Sequence, residues 1–544
     1  MMKTRQVLLS KASLHHHVIA KSSLLVEASS RGMMESRRNF SQQLQHLRKQ
    51  NETVSSEAPE ETISASNEYH PSLNDFVAFC KRRGFAYQGS SLYGGLSGSF
   101  DYGPIGSQLK KNLKDLWWKD FVELRRDCVG IDTPIILHPK VWEKSGHIGN
   151  FTDPLVTCLT CHSRFEVENL LKRQQNPASM EVISKMETAQ EKIAWMNNNS
   201  SQVDCPCDKK SNSWDKIRNF DMLFKTMYGP VEKEENTAYL RPETAQGIFI
   251  NFNNVITTSR KRLPLGIGQI GKAFRNEISP RDFIFRTREF EQMELEYFCH
   301  PSTSSDYFKY WVNFCYEWLL KIGLRKENVR IYTKTKDLAH YSKETSDIEY
   351  LFPFGWSEIW GIANRTDYDL QAHAQPSKKK DRHTFEYVDP QTNERYVPHV
   401  VEPSAGVDRV LFALLYDAYN VEEVPGEEEK RVVLKIHPDL APYKFAVFPL
   451  QKKPVELMQK AEEIYNKLST VVATDYDVSP SIGVLYRRHD EIGTPYCITV
   501  DHQTLKDNTV TIRDRDTMKQ IRLSCDELLN NPQHLLKNSP FQSA

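Results

Sequence analysis

The chain has 544 residues, a length that accommodates about three to four domains. Lys plus Arg and Asp plus Glu both total 71, so bulk charge announces no nucleic-acid partner and any basic surface must be local. No apolar run approaches a membrane span, and ten irregularly scattered cysteines argue for a reducing compartment rather than a disulfide framework.

The first fifty residues hold nine Lys or Arg and only two acids, Glu27 and Glu35, with many Ser, Leu and His. Residues 51–70 then carry five Glu and no Lys or Arg. A basic, Ser-rich, acid-poor start has the composition of an organelle transit peptide, and Arg38-Asn39-Phe40-Ser41 resembles a mitochondrial processing site. A basic tail with no address is the alternative. Initiation at Met33 or Met34 would leave a cytoplasmic form, so mitochondrion, cytoplasm or both are expected.

Folded sequence is expected from Pro71. Ile105, Leu109, Leu113, Leu116, Trp117, Phe121 and Leu124 recur at helical spacing. An extended run follows from Ile131 to Leu137, and Pro134 within it suits an edge or interface strand. Cys158-x-x-Cys161 and Cys205-Pro-Cys207 flank a polar, helix-prone insertion around residues 165–215. Two CxxC pairs would signal zinc. Here the second pair is one residue short, which leaves structural Zn2+ (with His162 as a substitute ligand) and free thiols both open.

Strands are expected between Gly266 and Phe298. From Phe285 to Phe298 the chain alternates, placing Arg286, Arg288, Phe290, Gln292, Glu294 and Glu296 on one face. Such a face lines a polar site or meets solvent as an exposed hairpin. Residues 306–322 form a helix with Tyr307, Tyr310, Trp311, Phe314 and Trp318 on a core-packing stripe, and Val410 to Tyr419 forms another. Beyond Leu440, Phe445–Pro449 reads as a buried strand, Pro454–Leu468 as an amphipathic helix and Val471–Asp475 as a strand, a pattern that suggests a compact α/β domain.

The segments RPETAQGIF (from Arg241), FRNEISPRDFIFRTREFEQMELEYF (from Phe274), GWSEIWGIANRTDYDL (from Gly355) and EPSAGVDR (from Glu402) occur in that order. With the helix and strand from Ile105 to Leu137 they resemble the three signature motifs of class II aminoacyl-tRNA synthetases, and more closely glycyl-tRNA synthetase of the homodimeric type. The resemblance runs from about Asp75 to Pro532. It implies an α+β protein: residues 71–440 as a catalytic domain on an antiparallel β-sheet with flanking helices, and residues 441–544 as a C-terminal α/β anticodon-binding domain. Residues 1–70 are an extension. The implied activity is a glycine–tRNA ligase, which adenylates glycine with ATP and passes it to the 3′ end of tRNA(Gly). The implied partners are glycine, ATP with Mg2+, tRNA(Gly) and a second copy of the chain, with no membrane.

The chemistry agrees with the resemblance, because joining a carboxylate to the α-phosphate of ATP brings two anions together and guanidinium groups must neutralise and align them. By family position Arg275, Glu277 and Arg409 are the catalytic candidates. Arg275 would grip the α-phosphate and the glycine carboxylate, Arg286 and Arg409 the γ-phosphate. Phe290 would stack on adenine, Glu277 would read its amino group, and Glu358 would hold Mg2+. The resemblance places Asn276, Phe285, Thr287, Arg288, Glu289, Ile359, Gly406, Val407 and Asp408 at the nucleotide as well. Around glycine it places Arg164, Glu243, Glu291, Gln292, Met293, Glu294, Arg365, Glu402, Pro403, Ser404 and Ala405, together with Phe290 and Gly406. The bland reading of the arginines is structural ion pairing. A pocket closed at the α-carbon makes alanine overpack by about 1–3 kcal/mol, so no editing domain is demanded, and none is seen. Arg487, Arg488, Arg513, Arg515, Lys519 and Arg522 are expected to give the last domain a local basic surface for tRNA, against a merely solvated face. A catalytically inactive synthetase-like accessory subunit is the rival function, and loss of Arg275, Phe290 or Arg409 would favour it. A related synthetase for another amino acid is a third.

Overall fold

The computed structural model describes residues 71–541 apart from 175–181, 184–185, 187–188, 208–211, 231–235, 335–341, 375–384, 427 and 479–480. The transit-like segment and the acidic stretch of residues 1–70 lie outside the described residues. Helix α1 (Leu73–Arg83) is capped by Ser72, whose hydroxyl accepts from Asp75 N, and ends at Gly84 in the left-handed region.

Helix α2 (Pro104–Trp118) begins on a proline, whose missing N–H costs nothing in a first turn. A π-helical turn, Lys119–Glu123, extends it, so the predicted apolar stripe persists through Phe121: Leu109, Leu113, Trp117 and Phe121 are fully buried, while Leu124, expected on the same stripe, is exposed. Burying each such side chain is worth roughly 1.5–3 kcal/mol. The extended run predicted from Ile131 to Leu137 does not join a sheet. The strand is β1 (Cys128–Gly130), and within 131–137 only Ile136 bridges, to Leu240. The reason is Arg241, which takes the carbonyls of Thr133, Pro134 and Ile135 as its own acceptors, while Pro134 has no N–H to offer a ladder.

The insertion forms its own small sheet of β2 (Thr152–Thr157), β3 (Arg164–Glu166) and β4 (Arg218–Asp221), ordered β3-β2-β4, with helices α3 (Val167–Lys172) and α4 (Ala189–Asn199). After helix α5 (Ala245–Ser259) come the long hairpin strands β5 (Leu265–Phe274) and β6 (Glu289–Cys299). Helix α6 (Ser304–Lys321) leads to β7 (Val329–Lys334), β8 (Glu344–Phe352) and β9 (Gly355–Thr366). Strand β10 (His399–Gly406) runs straight into helix α7 (Val407–Ala418). The main sheet has the order β7-β8-β9-β10-β6-β5-β1, antiparallel except where β1 joins β5.

Strand β6 begins at Glu289, not at Phe285 as the alternation suggested. A 3₁₀ turn at Phe283–Phe285, entered through positive φ at Asp282 and Phe283, interrupts the run. From Gln292 onward both faces of β6 are buried. Met293, Leu295 and Tyr297 pack into a core with Trp311, Trp318, Trp360 and Phe412, while Gln292, Glu294 and Glu296 share the opposite face. Beyond its exposed tip the hairpin is therefore neither exposed nor half-exposed: it is a central element with an acidic side.

Between Leu440 and Phe445 the chain leaves the first core and enters a second. There β11 (Phe445–Pro449), α8 (Val455–Leu468), β12 (Thr474–Tyr476), α9 (Ile482–Ile492), β13 (Tyr496–Val500), β14 (Thr509–Asp514) and β15 (Gln520–Ser524) build a sheet ordered β12-β11-β13-β14-β15. Its first three strands are parallel and the last two antiparallel to their neighbours. No helix among the described residues is long and apolar enough to cross a membrane.

Candidate active site

A cavity of ≈ 390 Å³ opens on the acidic face of the main sheet. One end is cationic. Arg275, just past β5, donates from Nε to Pro242 O (3.1 Å), and its guanidinium stands 5.3 Å from the Phe290 ring and 5.7 Å from that of Phe151. Arg286 Nε binds Glu277 Oε2 at 2.6 Å. Arg409, on the first turn of α7, donates to Phe285 O and Glu358 O and lies over the Phe285 ring at 4.4 Å. Burial lowers the pKa of Arg409, and Arg275 and Arg286 add to the effect against the opposing pull of Glu358 and Glu277. A cation made less comfortable by burial and by two neighbouring cations is a group that gains from an anionic ligand.

The other end is acidic. Carboxylate oxygens of Glu294, Glu296 and Glu402 lie within 4.8 Å of one another, all buried. Burial, with Glu294 and Glu243 nearby, pushes Glu402 up to about 8 despite Arg365, and burial with Glu243 raises Glu294 too. Burial raises Glu296 further, and neither of its oxygens has a hydrogen-bond partner among the described residues. Glu243 goes the other way. Burial opposes its charge, but His147, Arg365 and Gln246 outweigh it and hold the carboxyl below the usual range. The ring of His147 is held in place from both sides, with Ser145 Oγ 2.7 Å from its Nδ1 and Glu243 Oε2 3.4 Å from its Nε2. Thr244 donates to Glu294, and Gln292 Nε2 donates to Ser404 Oγ at 3.3 Å. So many buried carboxyl groups around one small space favour a cationic guest.

Of the expected nucleotide residues, Arg275, Glu277, Phe285, Arg286, Thr287, Phe290, Glu358, Gly406, Asp408 and Arg409 line the cavity. Glu277 Oε2 takes Arg286 Nε, so one oxygen of its carboxylate is already committed. Asp408 reaches the wall, but its oxygens take Tyr102 OH, Lys110 Nζ (2.6 Å) and Glu291 N (2.9 Å), tying α2, α7 and β6 together. Asn276 donates its backbone N–H to Met222 O, and Arg288 binds the carbonyls of Ser97 and Glu277. Glu289 pairs with Lys272 at the exposed strand end, while Ile359 and Val407 are core residues.

Around the acidic end Glu243, Phe290, Gln292, Glu294, Arg365, Glu402, Ser404 and Gly406 line the cavity. Arg365 is committed to Asp369 through two bonds (2.7 and 2.9 Å) and to Glu402 at 2.9 Å, so it sets the wall. Glu291, Met293, Pro403 and Ala405 are not in the lining. Consecutive strand residues cannot all face one way: Glu291 meets Lys110 and Lys114 on α2, and Met293 and Ala405 enter the core. Arg164 is exposed on β3 and away from the cavity wall.

Sequence reasoning missed Ile284, Lys334, Thr345, Asp347, Gly361, Ile362 and Ala363, which complete the lining, and His147 behind Glu243. Asp347 pairs with Lys334 (2.7 Å), and burial together with Glu358 pushes it up to about 6. Two carboxylates that repel each other at the phosphate end fit a hard divalent cation, which would hold both by oxygen.

Two further expectations change. Cys158, Cys161, Cys205 and Cys207 converge in spite of the short second pair, while His162 is exposed and outside the cluster. The basic surface on the last domain is much reduced: Arg513 and Arg515 are buried, the former on Asp490 and the latter on Asp516 and backbone carbonyls. Arg488 pairs with Asp477, and Arg522 with Asp501.

Residues 224–418 match the tRNA synthetase class II core domain (G, H, P, S and T), and residues 444–533 match an anticodon binding domain. The chain is 51% identical over 461 residues to the glycine–tRNA ligase of Clostridium kluyveri, covering 85% of this chain and 97% of that one. It is 51% identical over 457 residues to the enzyme of the same name from Clostridium acetobutylicum (84% and 97% covered) and 50% over 464 residues to that of Acetivibrio thermocellus (85% and 98%). With that identity sustained along nearly the whole of each relative, the chain belongs to the glycine–tRNA ligase family of class II aminoacyl-tRNA synthetases.

Proposed function

We propose that this cavity condenses glycine with ATP and then transfers the glycyl group to the 3′ end of tRNA(Gly). The observation that carries the reading is one cavity with guanidinium groups at one end and buried carboxyl groups at the other. The acidic end takes the ammonium: Glu243 already carries its charge, and Glu402 and Glu294 complete the cage with Ser404. At the cationic end Arg275 faces the carboxylate oxygen that attacks and the α-phosphate that receives it. Its charge offsets the negative charge that builds there, and Phe290 beside it offers a flat apolar face to the base. Arg286 and Arg409 hold the outer phosphates, and Glu358 with Asp347 would hold Mg2+, which neutralises the phosphate oxygens when bound. No side chain serves as nucleophile. Catalysis is alignment plus charge stabilisation.

The test is ATP–pyrophosphate exchange with each amino acid in turn. Glycine alone should support it, and exchange with no amino acid, or with another and not glycine, ends this reading. An inactive accessory subunit finds no support, since Arg275, Phe290 and Arg409 all line the cavity. The working form is a homodimer through the α2 region; apolar Leu124 and Ile136 standing exposed there support this. A monomer with full activity in sedimentation would contradict it. Delivery to mitochondria by residues 1–40, with a cytoplasmic form from Met34, rests on composition and is checked by fusing residues 1–40 to a fluorescent protein.

A further inference from the structure

We infer that the chain binds one zinc ion through the Sγ atoms of Cys158, Cys161, Cys205 and Cys207, and that this ion holds the β3-β2-β4 sheet against the catalytic arginine segment. The four sulfurs lie within 4.8 Å of one another, and Cys161 Sγ stands 3.7 Å from Cys205 Sγ. Sulfurs at about 2.3 Å from a tetrahedral ion are separated by roughly 3.8 Å. The same distance is far beyond a disulfide of about 2.05 Å, and none of the four cysteines is in a disulfide.

The backbone is shaped for the purpose. Cys158 N donates to Ser163 O, His162 N donates back to Cys158 O at 2.9 Å, and His162 turns through positive φ. Cys158 also bridges Trp214, which brings the strand after the second pair alongside the first. Around this cluster the core is small: Val156, Val167, Leu170, Leu171, Met196 and Val203 do most of the packing. A module of this size cannot offset its chain entropy by burial alone and is commonly stapled by a metal. Four thiolates and no oxygen ligand select zinc or iron over harder cations.

The far end of the same sheet touches the site. Strand β2 starts one residue after Phe151, whose ring faces Arg275, and β4 ends one residue before Met222, whose carbonyl accepts from Asn276 N at 2.8 Å. Met222 N in turn donates to Phe151 O, and Thr152 pairs with Asp221. The ion therefore acts as a positioning element, at one end of a rigid strand pair whose other end abuts Arg275 and Asn276. This second half rests on the proposed reaction; the metal assignment does not.

The experiment uses the full chain purified without chelator. Elemental analysis should give one zinc per chain, released into a chromogenic chelator when an organomercurial caps the thiols. Replacement by Co2+ should give the intense sulfur-to-metal charge-transfer band of a four-thiolate tetrahedral site. Cys161→Ser with Cys207→Ser, both at half-exposed positions, should lose the zinc and the cobalt band, speed proteolytic cleavage between residues 158 and 217, and raise the KM for ATP about tenfold. A chain that carries no zinc and takes up neither Zn2+ nor Co2+, one that carries iron with its own visible spectrum, one whose four cysteines prove disulfide-bonded, or a double variant that keeps stoichiometric zinc would each overturn the assignment. Loss of zinc with unchanged KM for ATP and glycine would overturn the positioning role alone.

Discussion

Glu402 is a carboxyl group whose burial, beside Glu294 and Glu243, pushes it up to about 8 before any ammonium arrives. A raised carboxyl contributes stability that is fully present below its unfolded value near 4.5 and is lost as pH rises through about 8. Thermal unfolding without glycine should therefore show stability falling between those values, and saturating glycine should restore it at the alkaline side. Binding an ammonium there requires the carboxylate, so glycine should expel a proton and bind more weakly as pH falls below about 8. Titration calorimetry in buffers of different ionisation enthalpy reads this directly, and Glu402→Gln should abolish it. Arg275→Ala should lower glycine-dependent pyrophosphate exchange by about 10²–10³-fold, the scale of losing one donor to developing negative charge. Circular dichroism should be unchanged. If the variant exchanges at a near-normal rate, Arg275 belongs to the wall and not to the chemistry.

At the level of single elements, α2 meets the chain at Phe85 so closely that a Cβ on Gly106 would overlap the Phe85 carbonyl oxygen. That oxygen belongs to the backbone and cannot swing aside. Gly106→Ala should therefore cost about 1–3 kcal/mol in urea unfolding, and more if α2 cannot shift; a neutral result would mean that the helix slides. What sequence alone conveys divides along the same line. Helices α2, α6 and α7 and strand β11 are legible because the apolar spacing of each answers to one nearby core. Arg275, Arg286 and Arg409 are legible because charges in that order suit only a polyanion. The strand expected at Ile131–Leu137 is not there, because its carbonyls serve Arg241, a residue over a hundred positions away in sequence. Glu291, Met293 and Ala405 follow site residues in sequence but point to the opposite face, so neighbourhood along the chain misplaces them. Asp347 stayed hidden because TSDIEYLF reads as an ordinary strand until β9 is laid beside it.

Across the whole molecule, one carboxylate gathers two distant parts of the chain. Asp490, on α9, takes Arg431 Nε at 2.8 Å and both terminal nitrogens of Arg513 at 2.8 and 3.0 Å, while Arg431 also reaches Glu422. Arg431 is fully buried, and its strand, Arg431–Leu434, pairs antiparallel with Tyr419–Glu422, which follows directly from α7. Asp490→Ala would leave two guanidiniums buried beside each other without their shared anion, an expected loss of about 3–5 kcal/mol. Differential scanning calorimetry should show it, and replacing Arg431 as well should recover part of it. A variant that melts like the wild type would mean that water reaches these groups.

Strand β6 carries acids on one side and aromatic or aliphatic core on the other, residue by residue. A pairing slip of a single position would drive Glu294 and Glu296 into the packed tryptophans and expose Leu295 and Tyr297 to the site. The mis-paired chain could not be held together by its core, so it would be unfolded rather than subtly miscatalytic. Folding itself thereby acts as the quality check on the amino-acid cage: molecules that pass are those whose carboxyl groups already point at the substrate.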